Sequence, residues 1–262
     1  MDLGIEGRNA LVTAASRGLG KAIAFRLSQE GANVAICARG RDQLLKSQSE
    51  ILEATGGRVE AYVADVREAE QPESLVAKAA EELGTIEILV CNAGGPPSGT
   101  FEDFTPEDYR KAVELNLLST VRLCYAAIPF MKMRNWGRIV TLTSVSARQP
   151  LDTLILSNTA RAGVLGFSKS LSNQLAPLGI TVNSVLPGYT RTERVEELAR
   201  DFERKGRGTV EEFYRRIGKT IPMQRLGRPV ELAAAVAFLC SESAGYITGA
   251  SLQVDGGFIK SI

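Results

Sequence analysis

The chain has 262 residues, enough to bury a substantial core, and α/β chains of this size are routinely one domain. Its 31 basic and 30 acidic residues leave a net charge of +1, which argues against a nucleic acid or a membrane surface as partner. No apolar run approaches the roughly 20 residues that span a bilayer, and no leader pattern is visible, so we expect a cytoplasmic protein that acts on small molecules.

Short apolar segments alternate with longer helical patterns along the chain. The predicted strands are 10–13, 34–37, 59–63, 86–91, 138–142, 180–185 and 251–254. Such alternation is typical of βαβ units. We therefore predict a single-domain, Rossmann-type, doubly wound α/β fold over 1–262, with about seven parallel strands and helices on both faces. Ligands of such sheets bind beyond the carboxyl ends of the strands.

A glycine-containing turn follows the first strand and opens a helix. Glycines at positions 18 and 20 would let the backbone approach a pyrophosphate, and free amides at the helix start would face that anion. Ala14 occupies a tight-turn position where glycine could more easily adopt a positive φ. The predicted dinucleotide contacts in this turn are Thr13, Ser16, Arg17, Gly18, Leu19 and Gly20.

The end of the second strand bears on the choice of nucleotide. A carboxylate there would bind the ribose hydroxyls of NAD and repel a 2′-phosphate. This strand instead ends in Cys37, Ala38 and Arg39. Arg39 and Arg17 could both pair with a phosphate through charge-assisted forks, so NADP(H) is favoured over NAD(H).

Further motifs follow the third, fourth and sixth strands, and two segments flank the last predicted strand. They comprise Asp65 and Val66; Asn92, Ala93 and Gly94; Pro187, Gly188, Thr190 and Thr192; and the segments 246–250 and 254–257. With the glycine turn, they resemble the short-chain dehydrogenase/reductase (SDR) family over essentially the whole chain. The resemblance implies that the first pair contacts adenine, that 92–94 lies beside the cofactor, and that the third group holds nicotinamide and phosphates. Segments 163–169 and 179–183 resemble 3-oxoacyl carrier-protein reductases.

The predicted active site departs from the family pattern. Ser144 ends a strand, and thirteen residues later, where the family has Tyr-x-x-x-Lys, this chain has Ser157 and Arg161. The resemblance implies that Ser144 polarises a substrate carbonyl and that Asn116 completes a proton path. Ser157 can donate a hydrogen bond but is a poor proton source, whereas Arg161 shares its helix face and could bind ribose or an anion.

Three functions are compatible with this exchange. The first is an NADP(H)-dependent oxidoreductase that takes its proton from water, a substrate group or Tyr189; the second is NADP(H) binding without turnover, as a sensor or assembly subunit. The third is another reaction on an anionic substrate held by Arg161, with Arg191 and Arg148 as further contacts, although we interpret Arg148 as plain surface charge. We favour the oxidoreductase, because the cofactor motifs, Ser144 and Asn116 are all present.

The remaining predictions concern the lid, the assembly and the thiols. Residues 190–220 are rich in charge and are predicted to form a mobile substrate lid, with a solvated helix pair as the alternative. Helices within 107–133 and 154–178 and the closing strand are expected to assemble a homotetramer, or failing that a dimer. The four cysteines are expected to be buried free thiols, and with no histidine in the chain no metal site is expected.

Overall fold

The computed structural model describes residues 2–260, apart from the side chain of Arg194. Its strands form one parallel sheet in the order β3-β2-β1-β4-β5-β6-β7. The strands are β1 (Asn9–Val12), β2 (Asn33–Ala38), β3 (Val59–Val63), β4 (Ile88–Cys91), β5 (Gly137–Leu142), β6 (Ile180–Pro187) and β7 (Ser251–Val254). The α/β doubly wound fold is thus confirmed, and the predicted strand ends differ by no more than two residues.

Helices connect the strands and cover both faces of the sheet. They are α1 (Gly18–Gln29), α2 (Arg41–Thr55), α3 (Gln71–Leu83), α4 (Pro106–Val113), α5 (Ser119–Arg134), α6 (Ile155–Leu175), α7 (Glu193–Arg204), α8 (Val210–Thr220) and α9 (Pro229–Leu239). A π-helical turn, Glu114–Leu118, joins α4 to α5.

The core has two layers because successive side chains of a strand point to opposite faces. In β1, Ala10 and Val12 pack with residues of α1 and α9, whereas Leu11 packs with residues of α3 and α5. Parallel strands covered on both faces read as continuous apolar runs, which explains why the sequence pattern located them well. Burying each large aliphatic side chain contributes about 1.5–3 kcal/mol.

The strand order reverses between β1 and β4. Strands β2 and β3 lie on one side of this pair and β5, β6 and β7 on the other. A crevice opens at such a switch point, beyond the carboxyl ends of the strands. The glycine turn after β1 and the Asn92 loop after β4 therefore meet at this crevice.

Residues 190–220 contain α7 and α8, two helices joined by a short turn. Within residues 2–260, no helix is both long and apolar enough to cross a membrane. Met1, Ser261 and Ile262 of the predicted domain lie outside the described residues. The single domain with a lid over 190–220 stays a prediction.

Candidate functional site

Hydrogen bonds join the loops after β1 and β4. The Thr13 hydroxyl donates to the Asn92 carbonyl at 2.7 Å, and the Asn92 amide is 2.9 Å from the same hydroxyl oxygen. The Asn92 side chain also donates to the Ala14 carbonyl at 3.3 Å. Three bonds between two loops far apart in sequence hold this edge of the crevice in one conformation.

The glycine turn is tight, and its residues meet the conformational demands unequally. Ala14 has a φ of +48° and Gly18 a φ of +58°. A left-handed conformation is costly for alanine and free for glycine. The backbone of Ala14 is therefore strained, at the turn position that the sequence analysis identified as better suited to glycine. A Cβ on Gly20 would lie 2.4 Å from the Ala14 carbonyl oxygen and 2.8 Å from the Asn92 side-chain nitrogen, so only glycine fits there.

The start of α1 fits the pyrophosphate of a dinucleotide. Arg17 is the N-cap residue, and its side chain makes no capping hydrogen bond to the first-turn amides. Uncapped amides at a helix N-terminus bind anions. Ser16 stays in place because its carbonyl accepts a 2.7 Å bond from Ser47, and Leu19 packs against the core.

Three arginines lie around the proposed adenosine end. Arg39 is exposed and 4.0 Å from a carboxylate oxygen of Asp65, and Arg17 is exposed and 3.8 Å from Glu197. Arg67, which the sequence analysis did not single out, makes a two-pronged ion pair with Asp65. This side-chain hydrogen bond holds the pKa of Asp65 below its ordinary value.

Asp65 and Arg67 also form a local turn that a closer look at the sequence could have found. The Arg67 amide donates to the Asp65 side chain at 3.1 Å, the pattern of an Asx turn. Val66, between them, is buried. The turn therefore fixes both residues predicted to face the adenine ring.

The loop after β4 carries Ala93, which is half-buried, and Gly94, which is exposed. A Cβ on Gly94 would meet nothing within 4 Å, so the backbone there borders open space. The Gly94 carbonyl accepts bonds from the side chains of Asn116, at 3.0 Å, and Arg161, at 3.5 Å. Two of the four predicted catalytic residues, Asn116 and Arg161, are thus tied to the predicted cofactor loop.

Asn116 lies in the π-helical turn and is 4% exposed. Its side-chain nitrogen bonds Gly94, but its Oδ1 atom is buried and accepts no hydrogen bond from the described residues. A buried acceptor without a donor is uncommon and marks a place for water or a ligand group.

Three serines cluster where β5 ends. The Ser144 hydroxyl oxygen accepts a 3.1 Å bond from the Ser146 amide, and the Ser146 and Ser157 hydroxyl oxygens lie 3.4 Å apart. Ser144 is half-buried, whereas Ser146 and Ser157 are buried. The sequence analysis did not identify Ser146 as a site residue. Nothing in its spacing shows that the short 3₁₀ turn at Val145–Ala147 directs its side chain towards Ser157.

Arg161 is buried, at 8% exposure. Its Nη1 atom donates to the carbonyls of Leu142, at 3.1 Å, and Thr143, at 2.6 Å. The guanidinium therefore ties α6 to the end of β5, directly before Ser144. The guanidinium group has five N–H donors in a planar fork, which suits these contacts. A lysine ammonium would reproduce them only in part.

The loop after β6 completes this edge. The Gly188 amide donates to the Val254 carbonyl, and a Cβ on Gly188 would lie 2.7 Å from Asp255, so β7 packs closely against the loop that Pro187 begins. Thr190 is buried, and the side chain of Thr192 comes within 3.7 Å of the Cβ position of Gly18. The start of α7 therefore lies over the glycine turn.

Other candidates lie in different surroundings. The Tyr189 ring is 37% exposed and meets the Phe258 ring edge-on at a centroid distance of 5.4 Å. Arg148 is exposed, as expected of surface charge. Arg191 stacks over the Tyr214 ring at 4.9 Å, so its guanidinium lies against α8.

Comparison with known proteins gives a consistent result. Residues 13–259 match the family model described as enoyl-(acyl carrier protein) reductase. The chain is 37% identical to dehydrogenase/reductase SDR family member 4 of Sus scrofa over 97% of this chain and 88% of that protein. L-sorbose reductase of Gluconobacter frateurii, solved with NADPH and L-sorbose, superposes with a TM-score of 0.97 at 32% identity, covering all of both chains. An actinorhodin polyketide ketoreductase variant solved with NADPH has a TM-score of 0.91 at 34% identity, covering 97% of this chain and 98% of that one.

Proposed function

Because the chain belongs to the short-chain dehydrogenase/reductase family and is an NAD(P)-dependent oxidoreductase, we propose that it is an NADP(H)-dependent carbonyl or 3-oxoacyl reductase, or the matching alcohol dehydrogenase, that lacks the family's usual tyrosine as proton donor. Relatives solved with NADPH support a reductase, one of them with L-sorbose and another a polyketide ketoreductase. The identity of the carbonyl substrate is the next step to establish.

The position of Ser144 carries the proposal. Its hydroxyl oxygen accepts the Ser146 amide, so the hydroxyl hydrogen is left to donate to a substrate carbonyl. Bound NADPH would supply a hydride to the carbonyl carbon. A preorganised donor aimed at developing negative charge is commonly worth 10²–10³-fold in rate. Asn116, through Gly94, keeps the neighbouring loop in register with this serine.

The proton must come from elsewhere than the position that holds tyrosine in the family. Ser157 fills that position, and its hydroxyl lies beside that of Ser146 in a buried pair. An aliphatic hydroxyl is a far weaker acid than a phenol, so Ser157 positions a water molecule or a substrate hydroxyl rather than acting as the acid. A lost general acid lowers a rate by about 10²–10⁴-fold, which leaves much of the acceleration in place. Tyr189 is the alternative donor.

NADP(H) is the proposed nucleotide. The exposed guanidinium groups of Arg39 and Arg17 support this choice, because the carboxylate that pairs with each lies close to the limit of ion-pair distance. Such weak surface pairs exchange readily for a phosphate group.

Binding of NADP(H) without turnover is the second candidate. The observation that favours it is the bonding of Arg161 to the carbonyls of Leu142 and Thr143, which makes this cation a structural clamp. The same bonds give no support to an anionic substrate held by Arg161.

We also retain the lid and the assembly as proposals. Exposed apolar side chains support a homotetramer, or a dimer, through α5 and the region of β7, namely Tyr125, Met133, Tyr246 and Leu252. Sedimentation that shows only monomer at micromolar concentration would contradict it. Proximity of Thr192 to the glycine turn supports closure of 190–220 over bound ligand.

The deciding experiment is NADPH oxidation with a panel of ketones, aldehydes and 3-oxoacyl thioesters. The native protein is compared with the Ser157→Tyr, Arg161→Lys double variant and with Ser144→Ala. Turnover by the native protein that falls at least 10²-fold in Ser144→Ala supports the proposed reductase. Turnover by the double variant alone supports binding without catalysis.

A further inference from the structure

A basic cavity lies on the lid, apart from the serine cluster. It measures about 580 Å³ and is lined by Arg191, Tyr214, Arg215, Gln224, Arg225, Leu226 and Arg228. A smaller cavity of about 160 Å³ shares Arg191 and Tyr214 with it. A volume of this size accommodates a small organic ligand. We call the larger one the lid cavity.

The charges of the lid cavity do not cancel. Glu231 pairs with Arg225 at 2.7 Å and with Arg228 at 3.6 Å, and Glu196 is 4.0 Å from Arg191. Among the described residues, Arg215 has no carboxylate within ion-pair distance. Four guanidinium groups thus face two carboxylates, and the field favours an anion with two charges.

Tyr214 supplies a second, independent observation. Its hydroxyl oxygen is buried and makes no hydrogen bond with any group that the structure describes, although its ring is stacked under Arg191. Buried hydroxyls are normally paired, so an orphan phenol in the wall of a cavity indicates a missing polar partner. Together with the uncancelled charge, it points to a ligand rich in oxygen acceptors.

We propose that the lid cavity is a binding site for a small organic phosphate. Guanidinium forks match phosphate oxygens two at a time, and the volume beyond the phosphate leaves room for an organic portion. This site does not depend on the proposed reductase activity. The organic phosphate is either a phosphorylated substrate that reaches the active site by way of the lid or a separate effector.

The cavity wall is joined directly to the loop that follows β6. The Arg191 amide donates to the Gly227 carbonyl at 2.8 Å, and the Gly227 amide donates to the Tyr189 carbonyl at 2.9 Å. Thr190, between these two bonds, is one of the proposed cofactor contacts. A phosphate held by Arg191 and Arg215 therefore fixes α8 against this loop.

Calorimetric titration with inorganic phosphate, and then with dihydroxyacetone phosphate, tests the site. The native protein is compared with Arg215→Gln and with Arg216→Gln, which removes the same charge from the next residue of α8, where the guanidinium stacks on Phe202. Arg39→Gln controls for binding at the cofactor end. Circular dichroism confirms that each variant is folded.

The expected result is one phosphate site whose affinity falls at least 10-fold in Arg215→Gln and stays within twofold in Arg216→Gln and Arg39→Gln. No binding below 10 mM phosphate, on the order of the weakest specific sites, or unchanged binding by Arg215→Gln overturns the proposal. A rise in KM of Arg215→Gln for dihydroxyacetone phosphate but not for dihydroxyacetone identifies a substrate. Activation of dihydroxyacetone turnover by added phosphate, lost in Arg215→Gln, identifies an effector.

Discussion

The guanidinium of Arg161 donates a 2.6 Å hydrogen bond to the carbonyl oxygen of Thr143, the residue directly before Ser144. A second bond from the same nitrogen reaches Leu142 at 3.1 Å. The cation that stands in the family's lysine position thus holds the strand that presents the serine.

We predict that Arg161→Met lowers the free energy of unfolding by about 2–3 kcal/mol, because two carbonyls lose a charged donor in a buried place. Arg161→Lys should lose about 1 kcal/mol, since an ammonium keeps the charge but not the fork. Urea unfolding measures both. Lys78→Met, an exposed change on α3, should stay within about 0.5 kcal/mol. Equal stability of Arg161→Met and Lys78→Met would show that the bonds contribute nothing.

Ala14→Gly should stabilise the protein. The left-handed backbone at Ala14 costs about 1–2 kcal/mol that glycine avoids, while the added freedom of the unfolded chain returns about 0.4–1 kcal/mol. The net expectation is a gain of about 0.5 kcal/mol in urea unfolding. Ala15→Gly, next in the turn but buried and without a positive φ, should instead destabilise. A loss of stability in Ala14→Gly would mean that the strain is relieved in solution.

Arg39→Gln should raise the Kd for NADPH about 10-fold and leave that for NADH within twofold, because one charge-assisted pair with the 2′-phosphate is removed. Fluorescence titration with both nucleotides provides the values. Lys46→Gln, which removes an exposed charge further along α2, is the matched control. Equal weakening of both nucleotides by Arg39→Gln would argue against 2′-phosphate recognition.

The Glu231 carboxylate should stabilise the lid end of α9 in a pH-dependent way. The hydrogen bond from Arg225 lowers the pKa of Glu231 from 4.5 to about 2. A depressed folded-state pKa gives stability that is present above pH 4.5 and is lost as the pH falls towards about 2. Glu231→Gln should therefore lower Tm at pH 7, modestly because Arg225 is exposed, and the difference from the native protein should shrink steadily below pH 4.5.

Glu211→Gln, an exposed change on α8, serves as the comparison for that series. Its Tm difference from the native protein should be small at every pH. A Glu231→Gln difference that stays constant down to pH 2 would remove the titration argument.

All four thiols should resist modification in the folded protein. Each cysteine is buried and free, as the sequence analysis expected. Burial raises the pKa of Cys37 and of Cys240 to about 12, so little thiolate exists near neutral pH. Ellman's reagent at pH 8, roughly the pKa of a free thiol, should react with none of the four in native protein and with all four in guanidinium chloride. Rapid reaction of even one native thiol would indicate local opening.

The sequence by itself determined the fold, and it predicted where in that fold the candidate site lies. Strand β4 is buried on both faces and is apolar throughout, and β1 is apolar from Ala10 to Val12, so both strands could be located in the sequence. The glycine turn could also be predicted from the sequence, because the backbone geometry there restricts the residue type. The strain at Ala14 followed from the alanine at a position that favours glycine.

Only the tertiary structure decided what the site residues contact. Arg161 lies eighteen residues from Thr143 and sixty-seven from Gly94, and its choice of carbonyls depends on how α6 packs against two strand ends. The Ser146–Ser157 pair and the lid cavity likewise join side chains from separate elements. Side-chain hydrogen bonds are short and directional, so they depend on positions in space that periodicity along a chain does not encode.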